Sequence, residues 1–148
     1  MTMITYTVFP GPQAHKGIDK KEITSTWDAF CMRVASAQEY PDKGAQPLIK
    51  LAMFSSNRTA AHSLRHDANV MWVTGIEGDY DRGVVRMEQA VEMLERAGVR
   101  AVLHSSASST AEKPRWRVLC PLSEKRTPYA RAALVARLNG VLGGILAN

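Results

Sequence analysis

Apolar and polar positions alternate from Ile4 to Phe9, and the run FPGPQAHKG that follows breaks regular structure with two prolines and two glycines. This predicts a short strand and then a loop or arm. Ser25-Thr26 introduces WDAFCMRVASA, where Trp27, Phe30, Cys31 and Val34 recur at the spacing of a one-sided helix. YPDKGAQ is turn material, and PLIKLAMF reads as a strand with an apolar majority. SSNRTAAHSLRHDAN is polar and basic, and is predicted as a loop with one helical turn at most.

The pattern sharpens from Asn69. VMWVTGI is apolar and β-branched, DYDRG is turn-like, and RMEQAVEMLERAG carries Met87, Ala90, Val91 and Leu94 on one helical face. Gly98 suits a left-handed helix C-cap. VRAVLHS predicts a strand, SASSTAEKP a loop and WRVLCPLS another strand. Thr127 as N-cap with Pro128 at the first helical position opens a last helix, with Leu134, Leu138, Val141, Leu142 and Ile145 inward. Gly140, Gly143 and Gly144 weaken its end. The order from residue 69 is β-α-β-β-α, a split βαβ unit of the ferredoxin or RNA-recognition type with its last strand missing. The predicted fold is therefore α+β, one domain over residues 1–148, with a small α/β module (1–68) beside an incomplete RRM-like core (69–148).

At 148 residues, with 45% hydrophobic and 22% charged residues, the chain has the composition of one globular domain and not of a disordered one. Lys and Arg outnumber Asp and Glu by 19 to 14, a formal charge of +5 that permits polyanion binding without requiring it. Two distant cysteines give neither a disulfide framework nor a zinc ribbon, and predict a reducing cytoplasm. The N-terminus lacks a signal-peptide pattern, and no apolar run approaches the ~20 residues a membrane helix needs.

Glu77, Asp79 and Asp81 stand at alternate positions in TGIEGDYDRG, so Glu77 and Asp79, or Asp79 and Asp81, share a face if the strand continues. Paired carboxylates at a strand exit suit Mg²⁺ or Mn²⁺, which take oxygen ligands and complete their shell with substrate phosphates. The same residues equally suit a solvated turn, with Asp81 capping the next helix. HSSASSTAEKPRWRV places Ser105, Ser106, Ser108, Ser109 and Thr110 beside Lys113, Arg115 and Arg117, a set that suits phosphate. The basic surplus from Lys113 through Arg131 to Arg137 fits either a track for a nucleic-acid backbone or a solvated helix face. Trp116 fits a base-stacking platform or, better, the core. His62 and His66 are four apart, as two zinc ligands on a helix would be, but no third ligand is placed. Nucleophile-elbow, P-loop and dinucleotide-binding motifs are absent from the sequence.

WDAF…KGAQPLIKLAMF…DANVMWVTGIEGDYDRG…AVLHSSASS…PRWRVLCPLS resembles the archaeo-eukaryotic primase superfamily, in the primase-polymerase branch carried by phages, prophages and plasmids. The resemblance implies metal-dependent nucleotidyl transfer. Glu77, Asp79 and Asp81 are then the catalytic, metal-binding acids, with the register among them open. HSSASST falls on the segment that meets the incoming triphosphate, but the family's histidine after the serines is absent, so Ser106 and Arg117 stand in. A third acid is expected beyond Asn148. The implied partners are nucleoside triphosphates and a single-stranded template held by Lys113, Arg115 and Arg131, with dimerisation as one way to cover a bare sheet edge. The alternatives are a noncatalytic nucleic-acid-binding module and a metal-dependent nuclease using the same acids.

Overall fold

The computed structural model describes residues 2–36 and 43–147. The elements in chain order are β1 (Met3–Phe9), β2 (Lys21–Thr26), α1 (Trp27–Ala35), β3 (Leu48–Lys50), β4 (Ala52–Phe54), β5 (Val70–Tyr80), α2 (Met87–Arg96), β6 (Val102–Ser105), β7 (Trp116–Arg126) and α3 (Arg131–Val141). The chain is an α+β protein with two antiparallel sheets, ordered β2-β1-β3 and β4-β5-β7-β6. In the second sheet β5 and β6 both run antiparallel to β7, so they are parallel to each other and α2 is the crossover between them.

The first half of the chain departs from the sequence reading at two places. KEITST is a strand, β2, paired with β1 from Val8↔Lys21 to Met3↔Thr26, where a loop or arm was expected. Its alternation is polar on one face and only half-buried on the other, which hides it from a search for apolar runs. PLIKLAMF is not one strand: the chain leaves the first sheet at Lys50 and enters the second at Ala52. The Leu51 carbonyl at the break accepts from both Thr74 N (2.9 Å) and Gly75 N (3.1 Å), a bulge that fastens the two sheets together. Thr74 Oγ1 also donates to the Thr5 carbonyl, and Thr7 Oγ1 to that of Ala52.

The cores lie on either side of the second sheet. Ile76, Tyr80, Trp116, Val118 and Cys120 pack against Ala90 and Leu94 of α2 and Leu138, Leu142 and Leu146 in and after α3. On the other face Leu119 joins Ile4, Tyr6, Trp27 and Phe30, so the first sheet and α1 cover part of that face. Thr26 caps α1 by accepting from Ala29 N at 3.0 Å, as its sequence predicts. Thr127 makes no side-chain cap; Pro128–Ala130 form a 3-10 turn that leads into α3. No helix among the described residues is long and apolar enough to cross a membrane.

Candidate functional site at the exit of β5

β5 continues through Tyr80, so Glu77 and Asp79 belong to the strand and not to a turn. The alternation that buries Ile76 and Tyr80 under the helices turns Glu77 and Asp79 to the opposite face. Tyr80 fixes the strand's end. Its ring stacks on Trp116 with centroids 4.7 Å apart, and its hydroxyl accepts from Val84 N (2.9 Å) and Val85 N (2.7 Å). Trp116 is buried in this core and its Nε1–H donates to the Val85 carbonyl, so it is no platform for a base. These bonds tie the segment carrying Asp81 back onto the sheet.

The strand register lines up three side chains on the open face: Asp79 lies opposite Arg117, and Arg117 opposite His104. Arg117 grips Asp79 with two bonds, Nε to Oδ1 at 2.7 Å and Nη2 to Oδ2 at 3.2 Å. Burial, the largest influence on this guanidinium, favours its neutral form. The hydrogen bond to Asp79 and the charges of Asp79, Glu77 and Asp81 outweigh it and hold the pKa above the ordinary arginine value. The fields of all three acids thus converge on one cation.

Glu77 is held differently. Its carboxylate, 9% exposed, accepts from Leu51 N at 2.5 Å and faces Lys50 Nζ at 3.4 Å and Arg131 Nη2 at 3.8 Å. It braces the junction between the sheets, a role that its place in an acidic run does not reveal. Asp81 is exposed just past the strand. The Asp79 carbonyl accepts from Ala147 N at 2.8 Å, bringing the segment after α3 against the edge of β5 that β4, paired only with Val70–Val73, leaves bare.

The loop between β6 and β7 lies at the same end, since Tyr80 pairs with Trp116 and Trp116 with Ser105. Ser109 Oγ accepts from Arg115 N (2.9 Å), Thr110 Oγ1 accepts from Lys113 N (3.0 Å), and Ser106 Oγ lies 3.4 Å from Ser108 Oγ. Arg115 Nη1 reaches Ser108 Oγ at 3.4 Å, while its buried Nε–H has no hydrogen-bond partner. Ser105, Ser108 and Lys113 are exposed.

The structure therefore gathers Glu77, Asp79, Asp81, Arg117 and the serine loop at one end of the sheet. It does not form one basic track: Arg131 turns to Glu77, Lys125 lies over the Trp72 ring at 4.5 Å, and Arg126 pairs with Glu124. His62 and His66 are not on a helix. His62 sits in a turn at φ 65°, and His66 Nε2–H donates to the Asn57 carbonyl, which removes the spacing argument for zinc. Among the described residues no group of three or more His, Cys, Asp or Glu side chains gathers as a metal cage. Two carboxylates on one face remain a fit for Mg²⁺ or Mn²⁺, which bind through one or two acids plus substrate phosphates. Asp79 is paired with Arg117, and Glu77 with Leu51 N–H and Lys50, so a divalent cation at Asp79 would replace that guanidinium.

Comparison of the chain with protein-family models, with curated proteins and with solved structures finds no match.

Proposed function

We propose that the chain is the nucleotide-handling core of a primase-polymerase-type nucleotidyltransferase of a mobile element, with its chemistry at the exit of β5. One observation supports this most: an acidic strand end, a cross-strand arginine and a hydroxyl-rich loop with two further cations share one sheet end. In this reading β5-α2-β6-β7-α3 is an RRM-like split unit and β2-β1-β3 with α1 its N-terminal module.

Asp79 and Asp81 would hold a divalent cation, with Glu77 behind them bracing the strand. Such an ion would supply charge neutralisation and Lewis-acid activation of a 3′-hydroxyl. The chain's own residues bind and orient. Ser106, Ser108 and Ser109 offer hydroxyls to the triphosphate. Arg117 passes from Asp79 to a phosphate, where its fork makes two charge-assisted bonds. A guanidinium resting on the acids keeps them from repelling one another before substrate arrives.

The test is primer synthesis on a single-stranded template with nucleoside triphosphates and Mn²⁺, in the wild type and in Asp79→Ala. Product that needs Asp79 supports the reading, and strand cleavage that needs Asp79 replaces it with a nuclease. The bidentate Asp79–Arg117 pair gives one specific reason for a second reading, a noncatalytic nucleic-acid-binding module: the acid is already neutralised. Strand binding without synthesis, unchanged in Asp79→Ala, selects that one.

A further inference from the structure

The connection from β4 to β5 is long and irregular, yet it is built as firmly as a core. Asn69, 1% exposed, is its hub: its side-chain amide donates to the carbonyls of Ser55 (2.9 Å) and Leu64 (2.6 Å), and its Oδ1 accepts from Asn57 N (3.0 Å) and meets Ser55 Oγ. Thr59 and Ser63 close a turn through Thr59 N→Ser63 O (2.9 Å), with His62 in the left-handed region at φ 65°. Long connections without regular structure are ordinarily functional, and a non-glycine residue at positive φ persists only where its surroundings over-determine it.

This scaffold positions cations without neutralising them. Arg58 Nη1 donates to the carbonyls of Ile18 and His62, both at 2.8 Å, and Arg65 Nη1 to that of His15 at 3.4 Å. Arg65 Nε is buried without a hydrogen-bond partner. Lys20 Nζ is held by the Phe54 carbonyl at 2.5 Å, and Lys16 is exposed on the same segment. Ion pairs among the described residues include none of Lys16, Lys20, Arg58 or Arg65, although Asp19 and Asp67 lie within the two segments. Guanidinium groups fixed by main-chain carbonyls keep their full charge and spend little entropy on meeting an anion.

We propose that the Ser55–Asn69 loop, with Lys16 and Lys20, is a second anion-binding surface that takes the phosphodiester backbone of a nucleic-acid strand. Two forked cations suit phosphate. The exposed loop residues are Ser, Asn, Arg, Ala, His and Asp, with no large apolar side chain to enter a lipid surface. The loop precedes Val70 and Asp79 lies near the other end of the eleven-residue β5, roughly 30 Å away at strand spacing. The surface does not depend on the nucleotidyl-transfer reading.

The probe is a fluorescein-labelled oligothymidylate followed by anisotropy from low to moderate salt. Arg58→Ala/Arg65→Ala is expected to weaken binding about tenfold and to reduce the salt slope by about two, roughly one per lost phosphate contact. Lys16→Glu disturbs no described hydrogen bond and is expected to weaken binding about threefold with unchanged melting temperature. The assay contains neither Mn²⁺ nor nucleoside triphosphate, so failure here and failure at the nucleotide site read out separately. Wild-type affinity and slope in both the double arginine variant and Lys16→Glu overturns the proposal. Equal affinity for polyglutamate or for phosphatidylserine vesicles overturns its assignment to nucleic acid.

Discussion

Replacing Tyr80 by Phe removes one oxygen and leaves the ring stacked on Trp116. That oxygen accepts from Val84 N at 2.9 Å and Val85 N at 2.7 Å, two main-chain donors with no other partner in the turn after β5. Each such bond is worth about 1 kcal/mol net, and more where the orphaned donor stays out of water. Val84 is exposed and recovers a water, whereas Val85 is half-buried, so the expected loss is about 1.5 kcal/mol. For a chain of this size that is a fall in melting temperature of about 3–6 °C. Urea denaturation followed by tryptophan fluorescence gives the stability, and hydrogen exchange at Val84 and Val85 is expected to accelerate. A change below about 0.5 kcal/mol with unaltered exchange refutes the claim that this hydroxyl anchors the segment carrying Asp81.

Glu77→Ala leaves Leu51 N–H without its acceptor and is expected to cost about 1–3 kcal/mol, while Asp79→Ala, at a half-exposed ion pair, costs under about 1 kcal/mol; denaturant titration separates them. Equal losses would contradict the difference between a buried bracing acid and a half-exposed ion pair. Gly75→Ala places a Cβ 2.5 Å from the Cys120 carbonyl oxygen and 2.6 Å from Leu51 Cδ1, so the variant is expected to be severely destabilised or insoluble in a thermal-melt screen. Burial pushes the Cys120 thiol up to about 12 from an ordinary 9.0. Above that ordinary value the unfolded chain binds fewer protons than the folded one, so stability falls as pH rises from about 9 towards 12. Cys120→Ala is expected to flatten that alkaline loss in pH-dependent melts.

Much of this was legible in the chain because local pattern and tertiary environment agree. α1 shows its helical spacing and its Thr26 cap, and α2 is followed by Gly98 at φ 68°. Trp116 in the core follows from the strict alternation of PRWRV. The acids' share in a common face was legible too, once the strand was allowed to run past Ile76. What stayed hidden was set by partners far along the chain. Nothing in PLIKLAMF marks Leu51 as the point where the strand changes sheets, because the break is made by Thr74 and Gly75. The Asp79–Arg117 pair depends on the register of β5 against β7, which neither strand encodes alone. Glu77 looked like its neighbours and differs only because Leu51 N–H lies beside it.

The proposed function makes the exit of β5 a cation-dependent triphosphate site. Calorimetric titration of a nucleoside triphosphate in the presence and absence of Mn²⁺, on the wild type and on Asp79→Ala, tests it most directly. Binding that requires Mn²⁺ and is lost in Asp79→Ala while the fold is retained is expected. Absence of Mn²⁺-dependent binding in the wild type, or undiminished binding in Asp79→Ala, contradicts it.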